Sequence, residues 1–449
     1  MIKKFLLLSL VVSQLTISCS SDETVPETEQ TLAEQVANLV KQPYSKLTPT
    51  EQKVKLEAEA NDMLVQLDKS KTSGAIEALE NLTRLLDLNS VDIFSGKNDN
   101  KIEDIINTAG VYGVYTWNNT QKIWVKTAST TELKFVFPAK KSQTANNASF
   151  SSKAVASDIK VKLIDTYGNW SYNQQTQQYE QSPSVNDYFF LPTSADAVLT
   201  IDNTQAATFT QTAKYANGKE VPNEFAYKMT LIDGYAWEMS ETKATENTAK
   251  ASLTFNGKNL IEFNAGSTAQ IDALIDNDEL VQYRGKANGL FKLMDNFIIV
   301  ADMDLATEAA DEIALEKTLP SSNYDTKTYY SDMSVYNLKY SQGTAVNFNK
   351  NMKLILVSKK DGTKIADIVV HSEKSESYAY HQKWVVDATA TNGGYWTYDS
   401  NGTATVDYYD EVYYLKFSDN TEVEMSAYFS EGFTNFETKF EDFITAFEK

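Results

Sequence analysis

Two histidines, one cysteine and 61 acidic residues are the side chains with which this 449-residue chain could do chemistry. His371 and His381 stand ten residues apart, one ending an apolar stretch and one inside Tyr378-Ala-Tyr-His-Gln-Lys-Trp384. Two imidazoles could share a zinc, but the helical HExxH spacing is absent, so both read as ordinary strand-edge histidines. The chain has no Gly-rich phosphate loop, no GxSxG elbow and no cysteine beyond Cys19, so nucleotide chemistry and hydrolase triads have no foothold. Asp276-Asn277-Asp278-Glu279, Asp302 with Asp304, and Asp410-Glu411 could offer oxygens to calcium. None repeats the spaced acidic loop with a central glycine, and the default reading is solvated loops. Glycoside hydrolysis needs two carboxylates about 5–10 Å apart, a separation that sequence does not reveal. No catalytic residue, metal or cofactor is expected from these patterns.

The aromatic residues are the more informative set. Trp117, Trp124, Trp170, Trp237, Trp384 and Trp396 all fall on or beside predicted strands, several with a tyrosine two residues away. A flat aromatic face bordered by polar groups can stack a sugar, which makes Trp117, Trp124, Trp170, Tyr395, Trp396 and Tyr398 the candidate ligand-binding residues. The competing reading is cross-strand packing, which stabilises a sheet by about 0.2–1 kcal/mol per pair. Tyr395-Trp396-Thr397-Tyr398 follows two glycines and is the segment expected to be least buried.

The elements that must position these residues begin after an export signal. Lys3 and Lys4 precede the short apolar run Phe5–Val12, too short to span a bilayer. Leu15-Thr16-Ile17-Ser18-Cys19 resembles a relaxed lipobox, with Ser18 before the cysteine and Thr16 an unusual occupant of the usual leucine position. Ser20-Ser21-Asp22-Glu23 resembles the acidic export tag of surface lipoproteins of the Bacteroidota, and the dominance of lysine over arginine (only Arg84 and Arg284) suits that group. The resemblance implies cleavage before Cys19, lipidation (palmitate among the acyl chains) on it, and anchoring in the outer membrane facing the cell exterior. It covers about 23 residues and speaks to location, not activity. The body looks similar only to uncharacterised lipoproteins of those bacteria. With a single cysteine there is no intrachain disulfide framework, and the fold must be held by its own core.

The formal charge is −20, which repels phosphate backbones and argues against nucleic acid as a partner. Hydrophobic residues at 42% give enough material for a core, and 25 Tyr with 21 Phe beside only 17 Gly and 8 Pro point to well-formed aromatic strands. The organisation expected is a signal peptide at 1–18, a flexible tether at 19–30, a helical region at 31–108, an antiparallel β region at 109–265, a mixed helix and hairpin region at 266–320, and a second β region with a C-terminal helix at 321–449. Thr48-Pro49-Thr50-Glu51 is a helix start with cap and capping-box acid. Arg84 is expected to pair with Glu80 or Asp87. Leu290–Leu305 is ambiguous between helix and hairpin and is read as a hairpin turning at Asp295-Asn296. Phe433–Phe447 lines up phenylalanines at helical spacing.

The fold class expected is α+β: largely antiparallel meanders in curved sheets, packed with helices at the N-terminus, middle and C-terminus. The functional expectation is a non-catalytic surface-anchored lipoprotein that binds a glycan, holds an apolar ligand between sheet and helices, or scaffolds the envelope. The alternatives are a surface glycosidase using an Asp/Glu pair and a structural adhesin without a concave site. An open cavity between sheet and helices would favour the apolar ligand, and a filled core would argue against it.

Overall fold

A computed structural model describes residues 30–88, 102–162, 170–181 and 188–429. Cys19, the tether, and the phenylalanine-rich segment 433–447 lie outside the described residues. The described chain opens with helices α1 (Leu32–Val40), α2 (Pro49–Asp68), α3 (Gly74–Leu88) and α4 (Ile102–Ile106). The strands that follow are β1 (Gly113–Asn118), β2 (Ile123–Thr127), β3 (Leu133–Phe137), β4 (Ala148–Lys162), β5 (Trp170–Asn173), β6 (Gln178–Gln181), β7 (Tyr188–Ile201) and β8 (Thr204–Lys214). Next come β9 (Glu224–Leu231), β10 (Tyr235–Thr242), β11 (Asn247–Phe255), β12 (Lys258–Ser267), α5 (Ile271–Asp276), β13 (Lys286–Leu293) and β14 (Phe297–Asp304). Two helices, α6 (Leu305–Glu316) and α7 (Tyr329–Asn351), separate β14 from β15 (Met352–Ser358) and β16 (Thr363–Tyr380). The described chain ends with β17 (Gln382–Val386), β18 (Gly394–Tyr398), β19 (Ala404–Lys416), β20 (Glu422–Glu424) and α8 (Met425–Tyr428).

Sixteen of these strands form one sheet in the order β2-β1-β3-β4-β7-β8-β9-β10-β11-β12-β13-β14-β15-β16-β19-β20. The architecture is α+β, and the sheet is mixed because β1 pairs parallel with β3. The two β regions expected from sequence are therefore hydrogen-bonded into a single sheet through β12, β13, β14 and β15. From β7 to β16 the connections alternate. Turns of two to four residues join β7 to β8, β9 to β10, β11 to β12, β13 to β14 and β15 to β16 at one end of the strands, and at the other end the connections run from four residues (β10 to β11) to the helix-bearing segment between β14 and β15. Asp202-Asn203 and Asn256-Gly257 both hold positive φ at the two central turn positions, the left-handed geometry that two-residue hairpins require.

Local chemistry explains most elements. Thr31 and Thr48 each accept from the backbone N–H three residues on, and Glu34 and Glu51 accept in return from the cap backbones, giving two complete capping boxes. α2 and α3 lay Met63, Leu67, Leu82 and Leu86 on Phe135, Phe137, Phe150 and Leu199 of the sheet, all at most 2% exposed. The run Leu354-Ile-Leu-Val357 is apolar at every position because β15 is covered on both faces. Leu354 and Leu356 join Leu56 of α2, and Ile355 and Val357 join Val36 of α1. Asn296 in the β13–β14 turn accepts from Ser358 Oγ and Lys360 N–H and donates to Glu59, tying α2 to two turns.

Three expectations need correction. Arg84 donates to the Asn81 side-chain oxygen at 2.6 and 2.9 Å rather than to Glu80 or Asp87, and Asn81 in turn donates to the Pro138 carbonyl. The span from Ile271 to about Tyr283, which the sequence reads as helical, is a short helix plus a single 3-10 turn at Val281–Tyr283 rather than a continuous helix. The region after residue 320 is not β from its start, because α7 occupies 23 residues there. Its Tyr, Ser, Thr and Asn content conceals a helical period, and its place is fixed by tertiary bonds. β15 pairs with β16 only as far as Ile368, and the Asn349 amide then bonds both Val370 N–H and C=O, at 2.9 and 2.7 Å, where a strand would otherwise stand. At the far side Ser334 Oγ accepts from Asp407 N–H and Asn337 donates to the Asp407 carbonyl.

Candidate functional site

Beyond Val370, β16 and β19 run on together and carry a second, two-stranded sheet inserted between them, β17 paired with β18. The register sets Trp384 opposite Trp396, with ring centroids 5.4 Å apart and edge to face. Trp396 also stands perpendicular to Tyr330, the second residue of α7, at 4.7 Å. Its indole N–H donates to the Thr326 carbonyl at 2.9 Å, so the hairpin is anchored to the start of α7 by ring and hydrogen bond together. Tyr330 is 7% exposed and meets Tyr380 at 5.1 Å and Tyr329 at 5.0 Å. Tyr380 shares a hydroxyl contact with Tyr408 at 3.1 Å.

Beside this pillar, buried at Tyr330 and half-buried at Trp384 and Trp396, lies an outer layer of open rings. Tyr378 touches Tyr380 at 4.7 Å and is 55% exposed, and Tyr324 touches Tyr329 at 5.1 Å and is also exposed. Tyr398 is 71% exposed, with the His381 ring 6.3 Å away. Alternation along β18 puts Tyr398 on the side of Trp396 and Tyr395 on the opposite side. Gly394 is buried because a β-carbon there would lie 2.6 Å from the Trp384 indole nitrogen, which gives the glycine pair before Tyr395 a packing role.

The nearby carboxylates are internally paired and stand away from the open rings, Asp407 on the strand face opposite Tyr378 and Asp387 at the Val386–Gly394 end of the hairpin. Lys374 lies 2.9 Å from Asp407, which also accepts from Ser377 at 2.6 Å, and these two bonds hold its carboxyl below the usual range. Asp387 accepts from the Thr389 hydroxyl and backbone and is likewise held low. Burial raises the Tyr330 hydroxyl, and the bond to Tyr408 raises Tyr380, so both phenols stay protonated at neutral pH.

The residues singled out from sequence divide. Tyr395, Trp396 and Tyr398 come together in this hairpin, with Trp396 as a support and the two tyrosines open to solvent. Trp117 is 2% exposed inside the helix–sheet core, edge-on to Trp124 at 5.2 Å. Trp124 is half-buried and packs on Phe135 at 5.5 Å. These two rings are spent on cross-strand packing, because the inner faces of β1, β2 and β3 lie under the core, and they leave the candidate set. Trp170 opens β5 opposite Gln181, remote in sequence from β18. Sequence reasoning missed Tyr324, Tyr330 and Tyr378. It also missed the exposed cross-strand pair Tyr172 and Tyr179 on β5–β6, 5.2 Å apart. The Tyr378-Ala-Tyr380 alternation was the available signal for one of them.

Other candidate chemistry is dispersed. His371 bonds Glu422 at 2.6 Å within β16, whereas His381 follows the end of that strand, about 33 Å further on at strand spacing. The two cannot share one ion. Asp304 caps α6 through Thr307, and Asp276 lies 3.9 Å from Lys219. Among the described residues no group of three His, Cys, Asp or Glu is placed to hold a metal ion. A groove of about 220 Å³ opens between the start of α3 and two tight turns, lined by Ala75, Ile201, Gln205 and Ile232. It is smaller than the roughly 300–1,000 Å³ of common ligand sites and holds no aromatic side chain.

Comparison with family models, curated proteins and solved structures finds no match for the chain.

Proposed function

We propose that this protein is a non-catalytic, lipid-anchored surface protein of the outer membrane that binds glycans through the aromatic surface at the end of β16, β17, β18 and β19. The observation that carries the reading is the layering there. A pillar of buried Tyr330 with half-buried Trp396 and Trp384 anchors the hairpin, and Tyr378 and Tyr398 stand open beside it. Rigid aromatic faces offer contact area at low entropic cost, which suits the apolar faces of sugar rings. The lipobox-like Leu15–Cys19 segment and the acidic residues after it support the location.

The apolar-ligand alternative needs a hollow between a curved sheet and the helices. The interface between α2, α3 and the sheet is instead filled by Met63, Leu67, Leu82, Phe135, Phe137 and Phe150. The glycosidase alternative needs a carboxyl kept protonated beside the sugar. Among the described residues the carboxyls raised above their ordinary range are Glu241 on β10 and Glu308 on α6, while Asp387 after β17 and Asp407 on β19 are lowered.

The test is glycan-array binding by the full-length protein in detergent, compared with Tyr378→Ala and Tyr398→Ala. Both rings are exposed, so the variants should fold. Binding reduced at least tenfold in either supports the reading, and an array without any bound glycan overturns it.

A further inference from the structure

We infer that the phenylalanine face of the C-terminal segment 433–447 docks as a helix on an apolar strip of the sheet beside α2. The strip is set by strand register. Tyr227, Met239, Ala251, Phe263, Phe291 and Ile299 stand opposite one another in succession from β9 to β14, with Leu356 of β15 next in line. Two residues further along each strand, and so on the same face, Ala249, Ala265, Gly289 and Ala301 form a second row of small side chains. Together the rows make a trough, walled by large apolar side chains and floored by alanine and glycine. Among the described residues, the core beneath α2 and α3 does not take in Met239, Phe263, Ala249 or Ala265. An apolar sheet face needs another element over it.

Place, length and pattern name the occupant. The described chain reaches residue 429 at one end of the strip. Tyr428 and Phe429 belong to the core that Leu354 and Leu356 of β15 build, and the Tyr428 hydroxyl donates to the Pro49 carbonyl at the start of α2. From there α2 follows the turn end of the strands as far as Gln66, whose carbonyl accepts from Tyr235 of β10. A helix over 433–447 is about 22 Å long, roughly four to five strand spacings, which carries it from β15 or β14 to about β10 alongside α2. Phe433, Phe436, Phe440, Phe443, Ile444 and Phe447 recur at helical spacing on one side of that helix. Asn435, Thr438, Asp442 and Thr445 fall on the opposite side, as a helix laid on a sheet with its outer face in water requires. The strip is then filled by the chain itself and leaves no hollow there for an apolar ligand.

The experiment places photoreactive p-benzoylphenylalanine at position 440 of the full-length protein in detergent and maps its crosslinks by mass spectrometry. The expected crosslinks stay within one chain, reach the strip on β10 to β13, and keep their yield on dilution. Oxidation of Met239 by hydrogen peroxide is the second readout. Phe440→Asp combined with Phe443→Asp should raise its rate by about tenfold or more, whereas Phe440→Leu with Phe443→Leu should leave it nearly unchanged. Met63, buried under α2, should stay unreactive throughout. Should Met63 react in the aspartate variant, that variant has unfolded and the crosslink map decides. Crosslinks to another face, to a second copy of the chain, or to nothing overturn the inference. So does Met239 oxidation at the same rate in a folded aspartate variant and the wild type.

Discussion

Replacing Trp396 by alanine should release the β17–β18 hairpin without unfolding the sheet beneath it. The substitution removes an edge-to-face contact with Tyr330 at 4.7 Å, a second with Trp384 at 5.4 Å, and the N–H donation to Thr326. Ring pairs of this kind contribute about 0.5–1.5 kcal/mol each, and a hydrogen bond about 1 kcal/mol. With the lost burial of a half-buried indole, the total comes to about 3–5 kcal/mol. Trp396→Phe keeps a ring and loses the donor, for about 1–2 kcal/mol. Because β17 and β18 pair only with each other, the loss falls on local opening rather than on global stability. Amide hydrogen exchange reads this directly. Protection of the β17–β18 amides should fall by about two to four orders of magnitude in the alanine variant and about tenfold in the phenylalanine variant. The β3–β4 amides should not change. Hairpin protection within threefold of wild type in Trp396→Ala would refute the pillar as the support of the site.

Trp117→Ala, in contrast, opens the main core and should cost about 3–5 kcal/mol in urea unfolding, with glycan affinity unchanged wherever the variant is folded. A β-carbon at Gly343 would sit 2.5 and 2.9 Å from Leu315 Cδ2 and Cγ. Gly343→Ala should therefore destabilise by about 1 kcal/mol net of the helix-propensity gain, and in a Leu315→Ala background the sign should reverse. Burial pushes the Glu241 carboxyl up to about 8, partly opposed by Lys243. The folded state thus holds its proton more tightly than the unfolded chain, and stability should fall as pH rises from about 4.5 to about 8. Glu241→Gln should remove that slope, leaving the variant roughly 2–4 kcal/mol more stable than wild type at pH 9 and equal to it near pH 4, by urea midpoints.

The parts of the fold legible in sequence are those where a local rule agrees with the tertiary outcome. Thr31 and Thr48 start helices because their capping boxes are complete within four residues. The Leu290–Leu305 ambiguity resolves to the hairpin reading, with Leu293 pairing Phe297 across the turn. α7 was not legible, because what places it is remote: Asn349 substituting for a missing strand at Val370, and Ser334 and Asn337 on Asp407. The union of the two β regions into one sheet was not legible either, since a meander's pattern does not say whether it continues across an inserted helix pair. At the site, Tyr395 and Tyr398 could be picked out as exposed, whereas Trp396 between them is half-buried against Tyr330. Trp117 could not be told from these tyrosines, because an alternating aromatic strand reads the same whether its inner face meets helices or solvent. The contribution of Tyr330 depends on a helix that sequence did not show.

The most direct measurement is hydroxyl-radical footprinting of the full-length protein with and without a saturating glycan identified on the array. Tyr378 and Tyr398 should become protected, while Tyr172 and Tyr179, equally exposed on the β5–β6 hairpin, should react as before. Protection that spares Tyr378 and Tyr398, or appears elsewhere alone, would contradict the assignment of this surface as the glycan-binding site.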